Sequence, residues 1–174
     1  MAIYTEITDS EALDRMLSNL SATNLHRAVA RASSRAATAA RTAGTKELRA
    51  VYTMKAGDMK SRATIKKESD GTTLLIRGSV ERIEKFRTRV KRGKGGGVFA
   101  SVKQGTSTKV PRSFSVDGHM FKRDGKGRYP YRGLYGPAVP QMFGNPQVLD
   151  VMETRGSEVL ETRLYHEITR LTGV

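Results

Sequence analysis

The chain contains no cysteine and no tryptophan, and aromatic residues make up only 6% of its 174 positions. Without cysteine there is no disulfide framework, no thiolate nucleophile and no thiolate-ligated metal. No run approaches the roughly 18 consecutive apolar residues of a membrane-spanning helix, so no membrane partner is expected. Hydrophobic residues reach 37%, below the roughly 45–50% of ordinary globular domains, a figure that also counts glycine. The core is therefore expected to be modest and open to completion by neighbouring subunits. At this length the chain fits a single domain over 1–174 and buries roughly 70% of its unfolded surface. Acidic residues are scarce, 17 against 31 lysines and arginines, for a formal net charge of +14 and a pI near 10.4. Such an excess implies a partner of negative charge, either nucleic acid or an acidic protein surface. The opening MAIYTEITDSEALD is acidic and lacks the basic and apolar regions of a secretory leader, so a cytoplasmic compartment is expected.

The charge is uneven. Residues 1–24 hold Glu6, Asp9, Glu11 and Asp14 against Arg15 alone. Residues 136–174 hold Asp150, Glu153, Glu158, Glu161 and Glu167 against Arg155, Arg163 and Arg170. Acidic ends around a basic middle suit head-to-tail contact between copies as well as contact with DNA.

An acidic N-terminal extension or helix covers 1–23. Thr8 and Glu11 have capping-box spacing, so a helix starts near Asp9, with Leu13, Leu17 and Leu20 at helical intervals. A second helix over 24–53 puts Leu25, Val29, Ala32, Ala36, Ala40, Ala43 and Val51 on one face. Arg27, Arg31, Arg35, Arg41, Lys46 and Arg49 gather on the opposite side. Leu48 lies off that stripe. Gly44, about 1 kcal/mol worse than alanine in a helix, predicts a bend or break. The basic row is either a solvated face or a contact for DNA or an acidic partner.

Antiparallel strands and loops are expected over 62–128. RATIKKE and TTLLIRGSV form a hairpin about SDGT, and EKFRTRVKR and VFASVKQ flank the loop RGKGGG. That loop satisfies neither GxxxxGK[ST] nor GxGxxG, so it is read as a mobile basic loop in which Arg92 and Lys94 are further contact candidates. A second hairpin turns at Asp117-Gly118 between Phe114 and Phe121. From 147 to 172 a last helix carries Val148, Met152, Val159, Leu160, Leu164, Ile168 and Leu171, with Gly173 as its stop. Helices, then an antiparallel sheet of hairpins, then a helix make the fold class α+β.

Between them, FKRDGKGRYPYRGLYGPAVPQMFGNP holds five of the eleven aromatic residues and four of the five prolines. Prolines so dense do not suit a core strand or helix, apart from a short helix at AVPQMF. The stretch 129–146 is thus a rigid staple onto its own domain or a docking surface. The docking candidates are Tyr129, Pro130, Tyr131, Tyr135, Pro137, Pro140 and Phe143, with the prolines fixing the backbone path and the rings as anchors. The interleaved rings and bases of FKRDGKGRYPYRGLY also suit stacking plus phosphate contact. No catalytic or metal constellation is visible. His26, His119 and His166 fall on three elements, without HExxH or HxxxH spacing, and no GxSxG occurs. Neither an enzyme, a cofactor nor a small-molecule substrate is expected.

The run SFSVDGHMFKRDGKGRYPYRGLYGPAVPQMFGN, over 113–145, resembles the C-terminal signature of the prophage minor tail protein Z family. The family's elements are an aromatic-ended strand, a glycine turn, hxFKR, a Gly/Lys loop, RYPI and LYGPSVPQMF. TAARTAGTKELR and MKAGDMKSRATIKK resemble the same family upstream, so the likeness covers about 20–172. Tyr131 departs from the pattern, standing where an aliphatic residue is expected. The resemblance implies a structural virion protein of a tailed phage or prophage, assembled in the bacterial cytoplasm. It implies a place in tail completion or the neck, at the head-proximal end of the tail. It also implies a homo-oligomeric ring, commonly hexameric, around the DNA channel, in contact with other neck and tail proteins. From the residues alone, a free DNA-binding protein indifferent to sequence remains the alternative.

Overall fold

The computed structural model describes residues 17–68 and 71–172. The expected helix from Asp9 falls mostly outside the described residues, as do Ser69, Asp70 and the expected stop at Gly173; residues 17–19 are helical. The architecture is α+β. Helix α1 (Ala22–Val51) and the short α2 (Ala56–Ser61) lead into ten strands. These are β1 (Ala63–Lys67), β2 (Thr72–Ile76), β3 (Val80–Arg82), β4 (Arg87–Lys91) and β5 (Gly97–Ser101), then β6 (Thr108–Lys109), β7 (Ser113–Val116), β8 (His119–Arg123), β9 (Tyr131–Gly133) and β10 (Tyr135–Ala138). Helices α3 (Val139–Phe143) and α4 (Pro146–Thr172) complete the described chain. The strands form the ribbons β1–β2 and β3–β10 and the three-stranded sheets β4–β5–β6 and β7–β8–β9, all antiparallel.

The hairpins form where the turn chemistry asks for them. Asp117 and Gly118 both take positive φ, 49° and 79°, as a two-residue turn matched to strand twist requires. The RGKGGG loop joins β4 to β5, pairing Lys91 with Gly97. Helix α4 starts at Pro146, with Asn145 Oδ1 accepting the Gln147 amide at 3.1 Å as a cap. The end of α1 is closed by a loop, where Gln104 donates to the carbonyls of Arg49 and Tyr52 at 3.2 and 3.4 Å.

The straight apolar stripe expected on α1 is covered at Ala32, Ala36 and Ala40 but not at its N-terminal end. Leu25 and Val29 are 38% and 41% exposed, whereas Leu48, expected off the stripe, is fully buried. The covered positions step by four: Ala28, Ala32, Ala36, Ala40, Gly44 and Leu48. Four residues turn a helix by about 400°, so this row winds round α1 by about 40° per step. On α4, Val148, Met152, Gly156, Leu160 and Leu164 step in the same way, all at least partly covered. The two helices run antiparallel. A Cβ on Gly156 would stand 3.5 Å from that of Ala40, Gln147 Nε2 donates to Glu47 at 2.8 Å, and Arg31 pairs with Glu167 at 3.3 Å. A ridge of small side chains on α1 therefore receives larger ones from α4. Gly44 does not break α1, which runs 30 residues without interruption. It marks a close approach, where an added Cβ would lie 2.5 Å from Met152 Sδ.

The β1–β2 ribbon lies along α1, with Ser33 and Thr72 hydroxyls 3.0 Å apart. The core sits where the C-terminal half of α1, the start of α4, α3 and the strands converge. Leu48, Met59, Val98, Val139, Met142, Phe143 and Val148 are the largest fully buried side chains, each contributing about 1.5–3 kcal/mol by burial. Methionine, with its adaptable thioether, supplies Met54, Met59, Met120, Met142 and Met152 to this core.

Candidate functional site

Two surfaces gather the residues that composition singled out. The first is the cationic side of α1. Arg27, Arg31, Arg35, Lys46 and Arg49 are exposed there. Arg41 does not belong with them: it is half-buried and its guanidinium donates to the Ala63 carbonyl at 3.3 Å, tying α1 to β1. Seven residues turn a helix by about 700°, so Arg41 lies within about 20° of the buried Leu48, on a covered side of α1. Arg31 and Arg170 both reach Glu167, at 3.3 and 2.8 Å. The Arg170 hydrogen bond, opposed by burial and aided by Arg31, holds that carboxyl below its ordinary value. Between α1 and α4 lies a groove of about 640 Å³ whose floor includes Ala39 and Val159 and whose rim carries Arg35, Lys46, Arg155 and Arg163. Its one carboxylate, Glu47, accepts from Gln147. Arg92 and Lys94 project from the β4–β5 loop, exposed. Lys109 Nζ donates to the Gly95 carbonyl of that loop at 2.6 Å.

The second surface is the Tyr/Pro segment, which divides into two parts. Phe143, expected as a docking anchor, is 1% exposed in the core beside Gly44. It cannot anchor a partner, because α3 turns its side chain inward together with Met142. Pro140 sits in the first turn of α3, where a proline lacks nothing the helix needs, and it is half-buried against Gly78. Pro137 is half-buried within β10, whose pairing to β3 shifts register between Tyr135 and Ala138. Strand structure was not expected here; an irregular pairing leaves room for a residue with no amide hydrogen. This part is a staple. The other part stays outside: Tyr129, Tyr131 and Tyr135 are 66%, 45% and 54% exposed, and Pro130 is exposed between two of them.

The structure adds Phe114 and Phe121, which the sequence places only at a hairpin turn. Phe114, Phe121 and Tyr131 form a cluster with ring centres 5.3–5.8 Å apart, and Tyr129 stands 5.6 Å from Tyr131. The available signal is alternation: in HMFKR the buried Met120 and Phe121 must face opposite ways.

The ionisable groups elsewhere do structural work. Glu81 is buried between Lys85 Nζ at 2.6 Å and Arg62 Nε at 3.1 Å. Burial pushes its carboxyl up, but the bonds and charges of Lys85 and Arg62 prevail and hold it below the ordinary value. Glu84 accepts the Met120 amide at 2.6 Å, and His119 Nδ1 lies 3.2 Å from Arg82 Nη1. Among the described residues, no group of three or more His, Asp or Glu side chains could hold a metal ion. No described helix is long and apolar enough to cross a membrane. Comparison with known proteins gives no match: no family model, curated protein or solved structure is significantly similar to this chain.

Proposed function

We propose that this chain is a structural virion subunit of a tailed phage or prophage, a tail-completion or neck component. It forms a homo-oligomeric ring, of the commonly hexameric kind that the family resemblance implies, at the head–tail junction around the DNA passage. The observation that carries this reading is the apolar distal end of the α1–α4 pair. Leu25, Val29, Tyr165 and Ile168 are 38%, 41%, 76% and 46% exposed, and the Arg31–Glu167 pairing brings their stretches of helix side by side. Exposed apolar residues gathered at one end of a subunit mark a protein interface. A neighbouring copy or another neck or tail protein covers this end. The cationic row from Arg27 to Arg49 then faces the DNA or an acidic neighbour, and Tyr129, Tyr131 and Tyr135 provide a further contact face. The subunit is structural rather than catalytic and needs no cofactor.

The double variant Leu25→Ser, Tyr165→Ser tests this, since neither side chain belongs to the core. It is expected to keep the wild-type circular dichroism, to lose the defined oligomer in light scattering, and to fail to complete tails. Infectious, full-tailed particles lacking the polypeptide would sink the proposal. A second reading, a free DNA-binding protein indifferent to sequence, is favoured by the groove rimmed by Arg35, Lys46, Arg155 and Arg163. A monomer that gathers only on duplex DNA would support it instead.

A further inference from the structure

The sheet β7–β8–β9 has an aromatic outer side. Met120 is 8% exposed in the core, so strand alternation sends Phe121 and Arg123 outward. Register sets Phe114 opposite Phe121 and Tyr131 opposite Arg123, on that same outer side. An antiparallel sheet with one side on a core ordinarily carries polar residues on the other. This one carries rings. The face continues through Tyr129 to Tyr135, whose ring lies 3.2 Å from where a Cβ of Gly133 would stand.

Cations interleave with the rings. The Arg123 guanidinium is 5.1 Å from the Phe114 ring centre and that of Arg128 is 5.9 Å from Tyr129. At one side lies a pocket of about 480 Å³ lined by Arg112, Ser113, Phe114, Arg123, Gly125 and Lys126, three cations and no carboxylate. The adjacent Asp124 is engaged by Arg132 at 2.9 Å.

We propose that this face binds single-stranded nucleic acid, with unpaired bases stacking on Tyr129 and Tyr131 and phosphates held by Arg112, Arg123 and Lys126. Each nucleotide offers one flat ring and one phosphate, and the face offers open rings beside cations. A protein partner would also cover the rings, but three cations converging on one pocket without an acid favour a polyanion. In a duplex the bases are already stacked on one another. Only the phosphate attraction then remains, and the tyrosines gain nothing. The proposal gives the tyrosine contact face of the virion subunit a specific partner. It does not require ring assembly, so either can fail alone.

The test is fluorescence anisotropy of the full chain with labelled oligothymidine, oligouridine and a mixed-sequence duplex. The strands should exceed the roughly 4–16 nucleotides that comparable sites span. Both strands, or one of them, should bind more tightly than the duplex at equal salt; a difference between the two separates DNA from RNA through the 2′-hydroxyl. Because the chain has no tryptophan, quenching of tyrosine emission on adding the strand reports stacking directly. Tyr129→Ala should weaken strand binding roughly 5- to 150-fold, the worth of one stacked base, with duplex affinity unchanged. Tyr129→Phe should restore strand binding. Lys126→Ala should lower the salt slope for the strand by about 0.7. Equal binding of duplex and strand, absence of strand binding, or strand binding unaffected by Tyr129→Ala overturns the proposal. If strand binding is absent and Tyr129→Ala instead reduces the mass of a homo-oligomer, the face belongs to a second copy of the chain.

Discussion

Substituting alanine at two glycines of the helix pair should move stability in opposite directions. In a free helix either change favours folding by about 1 kcal/mol, because glycine loses more backbone freedom. At Gly156 the new methyl would meet Ala40 Cβ at 3.5 Å, an ordinary contact, so that gain survives. At Gly44 it would stand 2.5 and 2.6 Å from Met152 Sδ and Cγ and 3.2 Å from Phe143 Cε1. Ordinary carbon contacts are about 3.5–4.0 Å, so the overlap with Met152 is close to 1 Å. Retreat is blocked, because Met152 and Phe143 are 7% and 1% exposed. Overpacking of this kind costs about 1–3 kcal/mol. Set against the propensity gain, it leaves Gly44→Ala a net loss of up to about 2 kcal/mol. For a chain of this size about 1 kcal/mol corresponds to roughly 2–4 °C in Tm. Thermal melts and urea titrations followed by circular dichroism should show Gly156→Ala melting higher than wild type and Gly44→Ala lower. Equal stabilisation by both would refute the close approach, and with it the fourfold register of the two helices.

The same packing sets two further outcomes. Phe143→Ala should cost about 3–5 kcal/mol in urea titrations, while Tyr135→Ala, at 54% exposure, should stay within about 0.5 kcal/mol; comparable losses would mean that the Tyr/Pro segment is a staple along its whole length. The Glu81 carboxyl is held below its ordinary 4.5, so in acid the unfolded chain takes up that proton first. The stability it lends is whole above about pH 4.5 and is lost as pH falls through the folded value. Glu81→Gln should therefore be less stable near neutral pH and should show a shallower decline in acid. An unchanged acid profile would mean that Lys85 and Arg62 do not stabilise the charged form.

The features legible in the sequence were those governed by local chemistry. A two-residue hairpin turn needs two positive φ values in a row, and Asp117-Gly118 is a dipeptide that tolerates them, so the second hairpin could be read without knowing what packs on it. Asn145-Pro146 marks the start of α4 for the same reason. The buried row of α1 was a different matter. Over 30 residues, a row stepping by four departs from a straight 3.6-residue stripe by about 40° per turn. Leu25 and Val29 therefore align on a helical wheel with Ala36 yet end up on the surface, while Leu48 falls off the wheel's stripe and is buried. Which row is covered depends on the path of α4 across α1, and Gly156 opposite Ala40 expresses that path only once both helices are in place.

The Tyr/Pro segment shows how composition can conflate two roles within a few residues. Phe143 and Tyr135 share a neighbourhood of prolines and glycines, so density of rings alone assigns them together. Their fates differ because the prolines lead into different elements. Pro140 falls within the first turn of α3, and the helix it begins turns Phe143 onto the core. Tyr131, after Pro130, enters β9, where pairing to β8 commits it to the side opposite Met120 and therefore to solvent. Once β8 is fixed by its own turn, the outward direction of Phe121 and Tyr131 is dictated by alternation and register, without any appeal to a partner. The outward aromatic face is thus a consequence of the same pleat that buries Met120. Keeping rings there, beside Arg123 and Arg128, gives up the polar exterior such a sheet otherwise has. The ring pairs stabilise the sheet by themselves, but that does not account for Tyr129 and Tyr131 standing 66% and 45% exposed, which is the part of the face that a bound partner explains.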